Sequence, residues 1–273
     1  MKKRIALVVG LLGLSVAALT AVTSVAAAAA PGACTFTLNG AAKTMSLNAD
    51  CTTSTAIHVA SGYTLDGKGH TITAVDPASG AWDGAVVAND GNVMNVKNVE
   101  IDGASVSGAD DCNRVFNGIA LTNASGSITG VALNGIGLPE TGCQLGRAIL
   151  VDDTASTAQQ SVTIASNHVS NYNKNGIDVR GKVAATINGN TVTTSPSDLI
   201  VRNGMVIRTG ASAQIWNNVV SGNQSAAFAG EASGILAYDN GTVSMTKGPN
   251  TLSGNDVPLN NDGGNLVGKW VSP

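Results

Sequence analysis

Charge and aromatic rings are what this chain most lacks. Asp, Glu, Lys and Arg make up 12 % of its residues and Phe, Trp and Tyr 3 %, where an average globular chain is about 25 % charged. Beyond Lys2-Lys3-Arg4 there is no basic block, and setting those three aside leaves 12 basic against 18 acidic residues, a net of −6. That balance excludes the electrostatic footprint of a nucleic-acid binder or of a protein that docks on anionic membranes. Cys-x-x-Cys pairs and neighbouring His pairs are also missing, which excludes a structural zinc site of ordinary spacing.

The N-terminus follows a three-part plan. Lys2-Lys3-Arg4 precedes an apolar run from Ile5 to about Val22, and small residues continue through Ala30. This is the pattern of a secretory signal over residues 1–30, with cleavage expected near Ala28 to Ala30. No Leu-x-x-Cys box precedes Cys34 and no twin arginine is present, so general export of a secreted, extracellular protein is the expectation. No membrane segment is expected once the signal is removed.

What the chain does have is one phrase repeated in phase. Gly84-Ala85-Val86-Val87, Gly118-Ile119-Ala120-Leu121, Ala148-Ile149-Leu150-Val151, Gly176-Ile177-Asp178-Val179, Gly204-Met205-Val206-Ile207 and Gly234-Ile235-Leu236-Ala237 recur at steps of 34, 30, 28, 28 and 30 residues. A period of this size marks a repeat architecture, in which each copy is too small to bury its own apolar side chains and must stack on its neighbours. After each phrase come a second strand and a third, separated by an Asn or Gly: Asn98, Gly130, Asn167, Asn190, Asn218 and Asn250. A corner between two strands needs a residue that enters the left-handed region cheaply, which Gly and Asn do. Stacked Asn amides can also bond to one another along the axis. The third strand is followed by a loop of variable length, so insertions decorate one face.

The repeat also phases the cysteines. Four cysteines in an exported chain favour two disulfides, and three pairings are open on paper. Cys112 lies six residues before Gly118 and Cys143 five before Ala148, which puts both in the same turn of adjacent rungs, about 4.8 Å apart and within disulfide reach. Cys112 with Cys143 is therefore favoured, leaving Cys34 with Cys51.

This three-strand rung with its Asn ladder resembles the right-handed parallel β-helix of the pectin-lyase-like superfamily. Tyr63-Thr64-Leu65-Asp66-Gly67-Lys68-Gly69-His70-Thr71-Ile72 is similar to a first-rung phrase common in that group. The resemblance implies an all-β right-handed parallel β-helix of about seven coils over residues 54–255. Residues 31–53 are then an N-terminal cap, and residues 256–273 a C-terminal cap or tail over strand edges that would otherwise invite aggregation.

In polysaccharide-cleaving relatives the site lies on the outer face of the strand after the long loop, here the Gly-Ile-x-Val strand. If positions +1 and +3 of the phrase face inward, +2 and +4 face outward. The +4 column then holds Ala88, Thr122, Asp152, Arg180, Arg208 and Tyr238, and the +2 column holds Asp178 among Val86, Ala120, Leu150, Val206 and Leu236. Asp152, Asp178, Tyr238 and Asp239 are candidate ligand-binding residues, with Arg180 and Arg208 the candidates for chemistry. The apolar members of the +2 column imply that a loop or the tail covers part of the face.

A lyase acting on uronans needs the carboxylate neutralised and a base for the α-proton, and Arg or a Lys of depressed pKa can serve. The structural alternative is a ladder of salt bridges between rungs. The pectate-lyase phrase Arg-x-Pro-x-x-Arg and the ordered polygalacturonase phrases are missing, so no catalytic role carries over by motif. No cofactor is called for; calcium is the one ion considered, with Asp152-Asp153 as its candidate ligands. His58, His70 and His168 are expected to be structural. Trp82 and Trp216 are the aromatic residues that could serve as sugar platforms.

The expectation is thus a monomeric secreted protein that binds, and in the enzyme reading cleaves, an extracellular polysaccharide. A non-catalytic surface or matrix scaffold for adhesion is the alternative.

Overall fold

The computed structural model describes residues 32–107, 112, 114–137, 143, 145–197 and 199–268. The expected signal segment and the last residues of the expected C-terminal cap or tail, 269–273, lie outside the described residues. Among the described residues every regular element is a strand, and the strands stack into three sheets of eight, ten and nine members. The first sheet holds the phrase strands Gly84–Asp90, Phe116–Thr122, Arg147–Asp153, Asn175–Gly181, Asn203–Arg208 and Ser233–Tyr238. Each circuit of chain then adds one strand to the second sheet and one to the third, and pairing between successive circuits is parallel. Phe36–Asn39 with Thr44–Leu47 is the one antiparallel pair among the named strands. Three parallel sheets of this kind are consistent with a parallel β-helix.

Parallel strands need their inner faces covered, and here the three sheets cover one another. Ile119, Ile149, Ile177, Met205 and Ile235 form one column of the core, Ile128, Ile164, Ile187 and Ile215 a second, and Leu133, Val169, Val192 and Val220 a third, all fully buried. From Gly118 onward, positions +1 and +3 of the phrase face inward. The first copy departs from the expected register by two residues, since Gly84 pairs with Phe116 and Val87 with Ile119: Val86 and Val87 enter the core, Ala85 faces outward, and Ala88 stands in the +2 column with Ala120 and not in the +4 column. The leading glycine faces inward too, so two successive residues point into the core. At Gly204 an added Cβ would come within 2.1 Å of Val220 Cγ1 and 2.5 Å of the Gly234 carbonyl oxygen. Gly118, Gly176 and Gly204 open the phrase because the third sheet and the next rung leave no room for a side chain, whereas Gly84, out of this register, has open space around it.

The asparagine column needs a correction. Asn167, Asn190, Asn218 and Asn250 do form a buried ladder: each Oδ1 from Asn190 onward accepts from the backbone N–H and the Nδ2 of the preceding member, at 2.9–3.1 Å. Each Nδ2 also donates to the carbonyl of a core isoleucine one rung back, Ile128, Ile164, Ile187 or Ile215. The left-handed corner is a different column, one residue earlier, formed by Asn98, Gly130, Ser166, Gly189 and Asn217, with φ between 50° and 65°. Asn98 belongs to this corner and not to the ladder, where its neighbour Val99 stands in register with Val131 and Asn167. Two demands, one for a left-handed backbone and one for a self-pairing amide, fall on adjacent residues.

The phrase around Leu65 is structural. Asp66, almost fully buried, accepts from the Lys68 backbone N–H at 3.1 Å and pairs with Lys68 Nζ at 3.0 Å and Lys97 Nζ at 3.3 Å. Burial opposes its ionisation, but these contacts prevail and hold the carboxyl below the usual range.

Both expected disulfides are formed, Cys34 with Cys51 and Cys112 with Cys143, with Cα separations of 4.8 and 5.2 Å. Reducing the second, which closes the longer loop, is expected to cost about 2–4 kcal/mol. Denaturant titration of Cys112→Ser/Cys143→Ser beside wild type checks this.

The two asparagine demands separate by mutation. Asn190→Ala takes the acceptor from the buried Asn167 N–H and the amide donor from the Ile164 carbonyl and is expected to cost about 2–4 kcal/mol. Ser166→Gly relieves a left-handed serine and is expected to be neutral or stabilising by about 1 kcal/mol. Equal effects in urea unfolding would overturn the separation.

Candidate ligand-binding site

The phrase strands carry nearly all the charge on their sheet. Because the glycine and the residue after it both point inward, the residue before the glycine returns to the outer face. That column is Asn117, Arg147, Asn175 and Asn203, paired rung to rung. It carries its own hydrogen bonds: Asn203 Nδ2 donates to Asn175 Oδ1 at 3.3 Å, and Asn175 Nδ2 donates to Asp178 Oδ2 at 3.0 Å. Further along, the Ser233 N–H donates to Asn203 Oδ1, and Asn260 Nδ2 donates to Ser233 Oγ.

Asp178 is the centre of this arrangement and is wholly buried. Arg147 Nε donates to its Oδ2 at 2.7 Å, from one rung before. Arg208 grips it from one rung after, with Nε at 3.0 Å from Oδ1 and a terminal nitrogen at 2.9 Å from Oδ2. A carboxylate buried this deeply would be costly alone, and two guanidinia plus an amide supply the pairing it requires. Among the described residues, the terminal nitrogens of Arg147 and the second terminal nitrogen of Arg208 have no hydrogen-bond partner.

Both arginines line a cavity of about 740 Å³. Its walls include Lys174, Asn175 and Asn203, the apolar side chains Val201, Val206, Phe228 and Leu236, Tyr238 at the edge, and the acids Glu231 and Asp262. Lys174 is mostly buried and donates to the Val201 carbonyl at 2.8 Å. Burial, followed by the charges of Arg147 and Arg208, pushes its ammonium down to about 8; Asp178 and Glu231 oppose the fall.

The candidate residues of the sequence reading fall into separate groups. Asp178 and Arg208 are joined, and Tyr238 stands at the same cavity. Arg180 is elsewhere: it pairs with Asp152 at 2.6 Å, and Asp152 is also held by Thr154. Burial opposes ionisation of Asp152, yet Thr154 and Arg180 hold its carboxyl below the usual range. Asp239 is exposed in a left-handed turn and does not line the cavity.

Asp152 and Asp153 do not converge on a shared ion, because successive residues of a strand face opposite sides. Asp153 is buried, and burial pushes its carboxyl up. Among the described residues no group of three or more His, Cys, Asp or Glu could hold a metal ion.

Trp82 cannot serve as a sugar platform. It is buried edge-on against Phe116, with ring centroids 5.8 Å apart. Trp216 is covered by the Lys247 ammonium 4.6 Å from its ring centroid. His58 pairs with Asp90, and His70 with Asp50.

Arg147, Lys174, Glu231 and Phe228 were not anticipated. The signal for Arg147 was present, since three of the residues that precede the phrase are asparagines in one column, but strict alternation hid it. Comparison with protein-family models, with curated proteins and with solved structures returned no match to this chain.

The depressed Lys174 makes a stability prediction. Its folded pKa of about 8 lies below the ordinary 10.5, so between those values the unfolded chain holds a proton that the folded chain has lost. Stability should therefore rise with pH across that window, and below it the buried charge costs about 2–3 kcal/mol. Lys174→Met is expected to stabilise the fold at pH 7 by a similar amount and to flatten that rise. Urea unfolding from pH 7 to 10 measures both; a destabilised variant would sink the account.

Proposed function

We propose that this is an exported right-handed parallel β-helix protein of about seven coils, akin to the pectin-lyase-like superfamily, that binds an acidic extracellular glycan in the Arg147–Lys174–Arg208 cavity. The observation that carries the reading is the pair of guanidinia anchored on buried Asp178 with terminal N–H groups left over at the cavity. Such groups are pre-organised for a carboxylate or another oxyanion, since their rotamers are fixed before the ligand arrives. Beside them Val206, Leu236, Phe228 and Tyr238 offer an apolar wall for the C–H face of a sugar ring, in a cavity of ordinary ligand size. Export accords with the two disulfides, which persist in oxidising surroundings.

Binding is the part of the reading that Asp178 and Arg180 support; for cleavage, Lys174 is the cavity residue of the kind that serves as base. Asp178 is held by three donors and is remote from solvent, a poor position for a group that must exchange a proton with substrate. Arg180, the other candidate for chemistry, is tied to Asp152 away from the cavity.

Lys174→Met tests the site without the ambiguity of unfolding, because the same change is expected to stabilise the chain. Calorimetric titration with galacturonic and glucuronic acid should show wild type binding at pH 7 and weakening by pH 9 as Lys174 loses its proton. The variant should bind about tenfold more weakly at pH 7 and lose that pH dependence. A wild type that binds neither acid would remove the acidic-glycan reading and leave the scaffold in front.

A further inference from the structure

Resting on that reading, we infer that the cavity takes one isolated acidic sugar unit, a single hexuronate whose neighbours are neutral or absent, and rejects a run of consecutive acidic units. The first ground is charge. Arg147, Lys174 and Arg208 face the cavity, but Asp178 lies beneath both guanidinia and Glu231 and Asp262 stand on the lining. Three positive charges are matched by three negative ones. One carboxylate engages the terminal N–H groups of Arg147 and Arg208 together with the Lys174 ammonium; a second meets Glu231 and Asp262 after all three cations are engaged. Like charges placed together in a partly dry cavity repel strongly.

The second ground is what adjoins the cavity on the same sheet. Toward the N-terminal rungs the outer column continues as Leu150 and Ala120, buried in a small apolar cluster with Ala85. No charge there receives the next carboxylate of a polyuronate. The nearest cation in the neighbouring column, Arg180, is already bound to Asp152 at 2.6 Å. Toward the C-terminal rungs the last strand of the sheet, Val257–Asp262, presents Asn260 and Asp262 to the cavity. Both side chains can accept from sugar hydroxyls, and Asp262 repels a carboxylate. Neutral sugar is accommodated on either side of the central anion, and acidic sugar on neither.

The test compares ligands of equal chemistry and different charge density by calorimetric titration at pH 7 and fixed ionic strength: galacturonic acid, an aldobiouronic acid with one acidic and one neutral unit, and tetragalacturonic acid. The single acid and the aldobiouronic acid should bind, and the tetramer should bind no more tightly than the single acid. The double variant Glu231→Gln/Asp262→Asn, which changes two exposed side chains without altering their shape, should raise tetramer affinity about tenfold while changing the single acid much less. Tetramer binding about tenfold tighter than the single acid in wild type, or a double variant with unchanged preference, overturns the inference while the acidic-glycan reading stands. Absence of binding by every ligand overturns both.

Discussion

Stacking at one fixed spacing is the constraint on which everything else here depends. Parallel strands one rung apart lie about 4.8 Å from each other, so every side chain meets the residue of its own column above and below. A column must therefore be compatible with itself. Isoleucine on isoleucine satisfies this by burial, and asparagine on asparagine by pairing Nδ2 with Oδ1. Charge on like charge does not, which is why a stacked chain of this kind is poor in ionisable residues.

The exception shows how the constraint is met. Asp152, Arg180, Arg208 and Tyr238 share one column, and Arg180 and Arg208 are direct neighbours in it. Each arginine reaches one rung back for its carboxylate, Arg180 to Asp152 in the same column and Arg208 to Asp178 in the next. Arg147 reaches one rung forward to the same Asp178. The buried carboxylate thus draws two arginines together across three rungs, and their shared anchor leaves the outer edges of both guanidinia in one place. A cavity lined by both arginines follows from resolving a repulsion.

Much of this was legible in the chain, for a physical reason: a column repeats, so its chemistry appears once per period. The Gly-Ile-x-Val register from Gly118 onward, the inward isoleucines and the two disulfides all rest on that repetition; the copy at Gly84 was misplaced by two residues. The ladder was displaced by one residue in its first two rungs, at Asn98 and Gly130, because Asn is suited both to left-handed backbone and to amide stacking, and Asn217-Asn218 places the two roles side by side. Arg147 was hidden by a local departure from alternation, since inward Gly118 and inward Ile119 are adjacent. Phe228 and Glu231 were hidden for a different reason, since they lie in a loop outside the stacked strands, and Lys174 because its column does not repeat one chemistry, standing level with Gly146 and Arg202.

Lys174 also carries the least economical feature of the molecule. A rigid stack needs no lysine whose ammonium is pushed down to about 8 by burial beside two arginines, and an apolar side chain of similar length would relieve that cost. Retaining a group that weakens the fold makes sense where the charge is used, and perturbed ionisation in a cavity is a recurrent mark of such use. The same reasoning sets Lys174 apart from Lys68 and Lys97, whose ammonium groups lie against Asp66 and support the first rungs. An anion entering between Arg147 and Arg208 would offset the repulsion that Lys174 experiences and raise its proton affinity, so ligand binding and protonation at this position are necessarily linked.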